Sequence, residues 1–280
     1  MEIIRDPAEM QQRALTWKKA GLSLGFVPTM GYLHEGHLRL VDEARGRCRR
    51  TVVSLFVNPM QFGPSEDLDR YPRDEAGDLA KLEQRGVDAV FIPSQEAMYP
   101  EGFETIVETL NLPNHLCGVR RKGHFRGVTT VVLKLFLCVT PDVAVFGEKD
   151  YQQFLVIRRM TADLNLPIEV VGVPTIRESD GLALSSRNVF LSPEDRLRST
   201  AIYRALVTAR DMVRRGETDA VTVRNEMLRI LEAAQGRVDY VAVVHPQSLV
   251  ELEVIQGQAH AALAVFFGST RLIDNMRLIG

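Results

Sequence analysis

The residues best equipped for chemistry begin with PTMGYLHEGH, Pro28–His37. His34 and His37 lie three positions apart, so in a first helical turn they share one face. The run follows a strand-like segment and opens a helix-like one. Free N–H groups and the positive dipole end of a helix start favour anions there. Gly31 and Gly36 let backbone approach a phosphate closely, with Met30, Tyr32, Leu33 and Glu35 completing the loop. The same histidines admit other readings. A zinc site would use histidines at i and i+4 plus a third ligand, which HEGH fits poorly. Two surface histidines at a helix start need no ligand.

A second cluster is FGEKDYQQ, Phe146–Gln153. After Gly147 and Glu148, Lys149 is a mobile point charge suited to phosphate oxygens. The Asp150 carboxylate suits ribose hydroxyls. The plain alternative is a solvated turn. The third cluster is GLALSSRN, Gly181–Asn188, where Ser185, Ser186 and Arg187 could clamp a polyphosphate or form a polar interdomain loop. Gln61, in VNPMQF, and Gln153 offer uncharged amides, which match hydroxyl or carbonyl groups better than phosphates. Together they suit a small hydroxylated molecule beside a nucleotide.

These clusters need rigid supports. Strand-like runs cover Leu22–Val27, Thr51–Val57, Val87–Ile92, Asp142–Phe146 and Ile168–Val173. Between them lie helical patterns at His34–Arg49, Asp74–Arg85 and Gly127–Val139, with another beginning near Tyr151. Near-continuous apolar strands alternating with helices predict an α/β fold, a doubly wound parallel sheet. PTMGYLHEGH and GEKD then sit where strands of such a sheet hand over to helices, the usual place for ligands. After Arg177 the pattern changes to helices at Pro193–Arg215 and Asp219–Ala234, then strands at Val238–Val244, Ala261–Phe267 and Arg271–Asn275. Residues 1–176 are therefore expected to form the larger domain and 177–280 a smaller α+β domain.

Composition narrows the classes. Thirty-four basic against thirty-six acidic residues leave a net charge of −2 in a chain of 280. That argues against broad nucleic-acid binding, which needs a clustered basic excess. The longest apolar runs, Val131–Val139 (interrupted by Lys134) and Ala261–Phe267, fall short of the ~20 residues that span a bilayer. MEIIRDPAEM shows no secretory pattern. Cys48, Cys117 and Cys138 are odd in number, widely spaced and without a CxxC pair, which reads as buried thiols in a reducing compartment. A cytoplasmic protein is expected.

The ordered set PTMGYLHEGH, SLFVNPMQF, GHFRGV, FGEKDYQQ and GLALSSRN, with RLIDN near the C-terminus, resembles the pantoate–β-alanine ligase family. That resemblance implies a Rossmann-like nucleotidyltransferase fold, with HEGH in place of a HIGH motif and LSSRN in place of a KMSKS-like loop. It implies condensation of (R)-pantoate with β-alanine, using ATP and Mg²⁺, through a pantoyl adenylate. By position, Met30–His37, Gly147–Asp150, Ile176 and Leu184–Arg187 would bind ATP. His37, His34 and Lys149 would act on the phosphates, and Ile176 would meet the nucleotide through backbone. Gln61 and Gln153 would hold pantoate, with Gln61 also beside β-alanine. Asn58, Arg121 and His124 would stand just behind the site. The C-terminal domain would act as a lid, and the chain would form a homodimer. Lys122 departs from the family pattern, which has proline before GHF, a change expected to make that loop either more flexible or more cationic and to loosen the roles carried over to Arg121 and His124.

Three other functions compete. A related enzyme could transfer AMP to another acceptor, a different small acid or a phosphate-bearing substrate, although a phosphate would favour arginine or lysine at Gln61 and Gln153. A metallohydrolase built on His34 and His37 lacks a third ligand. A non-catalytic nucleotide-binding regulator would need no acceptor pocket.

Overall fold

A computed structural model describes residues 1–64 and 66–279. In chain order the regular elements begin β1 (Glu2–Ile4), α1 (Pro7–Lys19), β2 (Leu24–Thr29), α2 (Glu35–Arg47), β3 (Arg50–Leu55), α3 (Glu75–Gln84), β4 (Ala89–Phe91) and α4 (Gln95–Met98). There follow α5 (Leu116–Arg120), α6 (His124–Val139), β5 (Val143–Gly147), α7 (Tyr151–Asp163) and β6 (Glu169–Val173). The chain ends with α8 (Pro193–Arg198), α9 (Ala201–Arg214), α10 (Ala220–Ala233), β7 (Arg237–Val244), β8 (Ala259–Phe267) and β9 (Thr270–Ile279).

Two compact units result. The first comprises Met1–Leu110, Arg121–Glu148 and Gln153–Pro174; the second comprises Asn111–Arg120, Lys149–Gln152 and Thr175–Gly280. Two short segments upstream of residue 176 thus belong with the second unit.

The first unit carries a six-stranded sheet in the order β1-β4-β3-β2-β5-β6, with every neighbouring pair parallel. Successive strands run outward from β2 through β3 to β4, and the chain then returns to place β5 on the other side of β2. The carboxyl ends of β2 and β5 therefore flank the switch point of a doubly wound sheet, where ligands bind. One core layer joins Val27, Val53, Val90 and Val145 of the strands to Leu38, Val41 and Ala44 of α2. Gly25 lets β2 and α2 pack closely: a Cβ would stand 3.0 Å from the Ala44 carbonyl oxygen, so α2 would have to give slightly to admit one.

The second unit has a three-stranded antiparallel sheet, β7-β8-β9. Its core joins Ala261, Leu263 and Val265 of β8 to Ile202, Leu206 and Ala209 of α9 and to Val223, Met227 and Leu231 of α10. This is the small α+β arrangement read from the C-terminal pattern.

Some elements depart from the sequence pattern. β1 and α1 are not marked by the sequence pattern. A three-residue edge strand is too short for periodicity to register, although α1 has a plain start in Asp6, whose side chain accepts from Glu9 N–H, and Pro7. The helix expected over Pro193–Arg215 is two helices, broken at Ser199 and Thr200. Their hydroxyls donate to the Arg196 and Leu197 carbonyls at 2.8 Å each, so side chains take acceptors that helix N–H groups would use.

Candidate active site

In the first unit, β2 ends at Thr29 and the chain turns through Met30–Leu33 into α2. Thr29 Oγ1 donates to the Ser54 carbonyl at 2.8 Å and accepts from Gly31 N–H at 3.1 Å. Gly31 and Tyr32 have φ of 82° and 52°, the left-handed region that favours glycine. Asp78, buried on α3, accepts from Tyr32 N–H and Leu33 N–H at 2.7 Å each. Its burial pushes the carboxyl above its ordinary pKa, opposed by those two N–H groups. Lys81 donates to the Leu33 carbonyl at 2.8 Å, so α3 grips both backbone polarities of the loop.

His34 is the N-cap of α2, and its Nδ1 accepts from Gly36 N–H at 3.1 Å. His37 Nδ1 accepts from His34 N–H at 3.3 Å. The rings lie 4.1 Å apart between centroids. A neutral imidazole that accepts at Nδ1 carries its proton on Nε2. Both rings therefore present Nε2–H donors on a helix's first turn.

β3 leads to the second group of candidate residues. Asn58 caps the short 3₁₀ turn Pro59–Gln61. Its amide nitrogen donates to Gln61 Oε1 at 3.0 Å and to the Gly127 carbonyl at 3.1 Å, and its oxygen accepts from Tyr99 OH at 2.7 Å. Arg121 forks onto Glu66 and donates to His124 Nε2 at 3.0 Å. Because arginine only donates, His124 is protonated on Nδ1, which donates to the Gln61 carbonyl at 2.8 Å. Asn58, Arg121 and His124 thus brace Gln61 from behind. Gln153 is half-buried on α7, and its amide makes no hydrogen bond among the described residues.

In the second unit, Lys149 and Asp150 close a 3₁₀ turn that begins at Glu148. Lys149 Nζ stands 3.7 Å from Asp150 Oδ2. The segment around Ile176 is tied into the serine loop. Leu184 N–H donates to the Ile176 carbonyl at 3.0 Å, and Arg177 bridges Ala183. Ser185 caps the turn Ser186–Phe190 by accepting from Arg187 N–H, while Asn188 donates to Glu178 and to the Ala183 carbonyl. Gly181, at φ 93°, admits no side chain, since a Cβ would fall 1.9 Å from the Tyr203 ring.

Among the described residues no cluster of three or more His, Cys, Asp or Glu could hold a metal ion, and no helix is long and apolar enough to cross a membrane. The family profile described as pantoate-beta-alanine ligase matches residues 2–277. The chain belongs to the pantoate–β-alanine ligase family. This makes it a ligase of pantothenate biosynthesis. The pantothenate synthetase of Oleidesulfovibrio alaskensis is 50% identical over the whole of both chains. A solved pantothenate synthetase from Thermus thermophilus is 48% identical and superposes with a TM-score of 0.93 over the whole of both chains. The solved ligase from Francisella tularensis, complexed with β,γ-ATP and β-alanine, is 32% identical with a TM-score of 0.83, covering 99% of this chain and 98% of that one.

In this ligase the first unit brings His34, His37, Gln61 and Gly147 to the carboxyl ends of the three adjacent strands β2, β3 and β5. Sequence reasoning missed Asp78 and Tyr99. Asp78 sits in the ordinary-looking helix EAGDLAKLEQ, and only the fold shows it turned onto the Tyr32 and Leu33 amides.

Proposed function

We propose that this chain joins (R)-pantoate to β-alanine in two steps, with ATP as the activating substrate. A pantoate carboxylate oxygen attacks the α-phosphorus of ATP, and diphosphate leaves. The β-alanine amine then attacks the acyl carbon of pantoyl adenylate, the bond to AMP breaks, and the amine gives up its proton as the amide forms. Activation is necessary because a free carboxylate is a poor electrophile with a poor leaving group.

The observation that carries this reading is the pair of Nδ1-anchored histidines on a helix N-terminus. Their Nε2–H groups are fixed donors for phosphate oxygens, able to stabilise charge on the α-phosphate and the departing diphosphate. Met30–His37, Gly147–Asp150, Ile176 and Leu184–Arg187 are assigned to ATP. Lys149 meets phosphates, Asp150 meets ribose, and Ser185, Ser186 and Arg187 meet the triphosphate. The Ile176 carbonyl is already used by Leu184, so its N–H is the group assigned to the nucleotide. Gln61 and Gln153 take the pantoate hydroxyls, and Gln61 also borders β-alanine. Support also comes from the Francisella relative, whose structure holds a nucleotide and β-alanine.

Mg²⁺ is assigned to the reaction on family grounds; entering with ATP, it would supply charge neutralisation on the phosphates. The enzyme is assigned to the cytoplasm and to a homodimer on family grounds.

The test is exchange of labelled diphosphate into ATP. Label should enter ATP only when pantoate is present. Exchange without pantoate, or none with it, rejects the reading. Lys149→Ala should lower the rate by about 10²–10³, the scale for one lost transition-state donor.

A further inference from the structure

RLIDN, Arg271–Asn275, is a family-like motif to which the two-step reaction assigns no role. It lies in β9, and Asp274 and Asn275 are both buried. Within the second unit Asn275 links two other groups. Its Nδ2 donates to the Lys149 carbonyl at 2.9 Å, and its Oδ1 meets His260 Nε2 at 2.8 Å. A carbonyl only accepts, so the Asn275 amide has one possible orientation, and His260 must present Nε2–H. The His260 ring lies flat on Tyr151, 4.0 Å between centroids at 13°. Tyr151 OH donates to the Pro246 carbonyl at 3.0 Å. Residues on both sides of Asp150 are therefore held by this network. Beside it, Arg177 forks onto Asp274, whose oxygen also accepts from Asn275 N–H at 2.8 Å.

We propose that Asn275 and His260 are positioning residues for Lys149, fixing its backbone so that the ammonium stands where the adenylation step needs it. This rests on the reading that Lys149 serves that step. Lysine is a point charge on a flexible stem, so an anchored backbone narrows where its ammonium can reach. Misplacement by about 1 Å can cost about 10²-fold in rate.

The experiment uses the full chain and a double-mutant cycle. Asn275→Asp keeps the shape but turns an oxygen toward the Lys149 carbonyl. His260→Phe keeps a ring on Tyr151 and removes the donor. Each should lower pantoate-dependent exchange, Asn275→Asp by about 10- to 100-fold. The reaction of supplied pantoyl adenylate with β-alanine should be unchanged. In a Lys149→Ala background the same substitutions should cost less than about 2-fold. Equal losses in that background, or equal losses in both half-reactions, overturn the proposal. If Lys149→Ala alone leaves exchange intact, the assignment of Lys149 fails instead, and the two failures stay distinct. Should Asn275→Asp not fold, His260→Phe runs the same cycle.

Discussion

The Asp78 carboxylate accepts the backbone N–H groups of Tyr32 and Leu33, each at 2.7 Å, from a helix some 45 residues further along the chain. The loop that delivers His34 and His37 passes through two left-handed residues, one of them a tyrosine. Such a conformation persists only when its surroundings impose it. Asp78→Asn would turn an amide nitrogen toward one of these donors. It should cost about 1.5–3 kcal/mol, the range for a hydrogen bond to a charged group. Urea unfolding checks the stability loss, and weaker ATP binding should accompany it.

Gly127 in α6 lies against the turn that carries Gln61. A Cβ there would stand 2.3 Å from the Met60 carbonyl oxygen and 2.7 Å from Gln61 N, both backbone atoms that cannot swing aside. Gly127→Ala should therefore destabilise by about 1–3 kcal/mol, as overpacking does. It should also lower pantoate-dependent exchange by shifting Gln61. Gly46→Ala is the contrast: nothing lies within 4 Å of its Cβ, so it should be neutral or stabilising by about 0.5–1 kcal/mol. Thermal unfolding of both variants separates the outcomes.

Much of this arrangement is legible in the residues. Val-rich runs such as Thr51–Val57 announce strands covered on both faces, and PTMGYLHEGH shows its strand-to-helix turn through glycines and paired histidines. What the residues do not show is long-range orientation. Nothing near Asp78 in the chain says that its carboxylate meets amides of a loop before α2. Arg121 and His124 read as site residues, but only the fold shows them turned onto Glu66 and the Gln61 carbonyl. The break at Ser199 is similar, because periodicity runs on through two hydroxyls that cap locally. Asn275 is the clearest instance: RLIDN is a recognisable motif, but only the fold shows its amide bonded to the carbonyl of Lys149, 126 positions away.

Burial holds the folded-state pKa of His260 down to about 4, against an ordinary value of 6.5, with the Arg277 charge adding to the effect. Between those pH values the unfolded chain holds a proton that the folded chain does not. Stability is thus complete above about pH 6.5, falls as the pH drops toward 4, and levels off below. At 1.36 kcal/mol per pKa unit the loss attributable to this side chain reaches on the order of 3 kcal/mol. Unfolding free energies measured from pH 7.5 to 4.5 should decline more gently in His260→Phe than in the unaltered chain. Parallel curves would remove His260 as the cause.

Gln61 and Gln153 are assigned the same ligand, yet they are built differently, and this separates their expected variants. Gln61 is buried, with its Oε1 held by Asn58 and its Nε2 3.1 Å from Met30 Sδ. Gln153 is half-buried and its amide makes no hydrogen bond among the described residues. Removing the Gln153 amide therefore leaves no buried partner unsatisfied. Gln153→Ala should raise the KM for pantoate by about 3- to 10-fold, the equivalent of one ordinary hydrogen bond, with the melting temperature and the KM for ATP unchanged. Gln61→Ala leaves one of the two Asn58 amide N–H groups without its acceptor, while the bond to the Gly127 carbonyl remains, so it should lose about 1–3 kcal/mol of stability along with pantoate affinity. Steady-state kinetics with pantoate and ATP varied separately, beside thermal unfolding, read both. An unchanged KM for pantoate in Gln153→Ala would withdraw the assignment of that residue to pantoate.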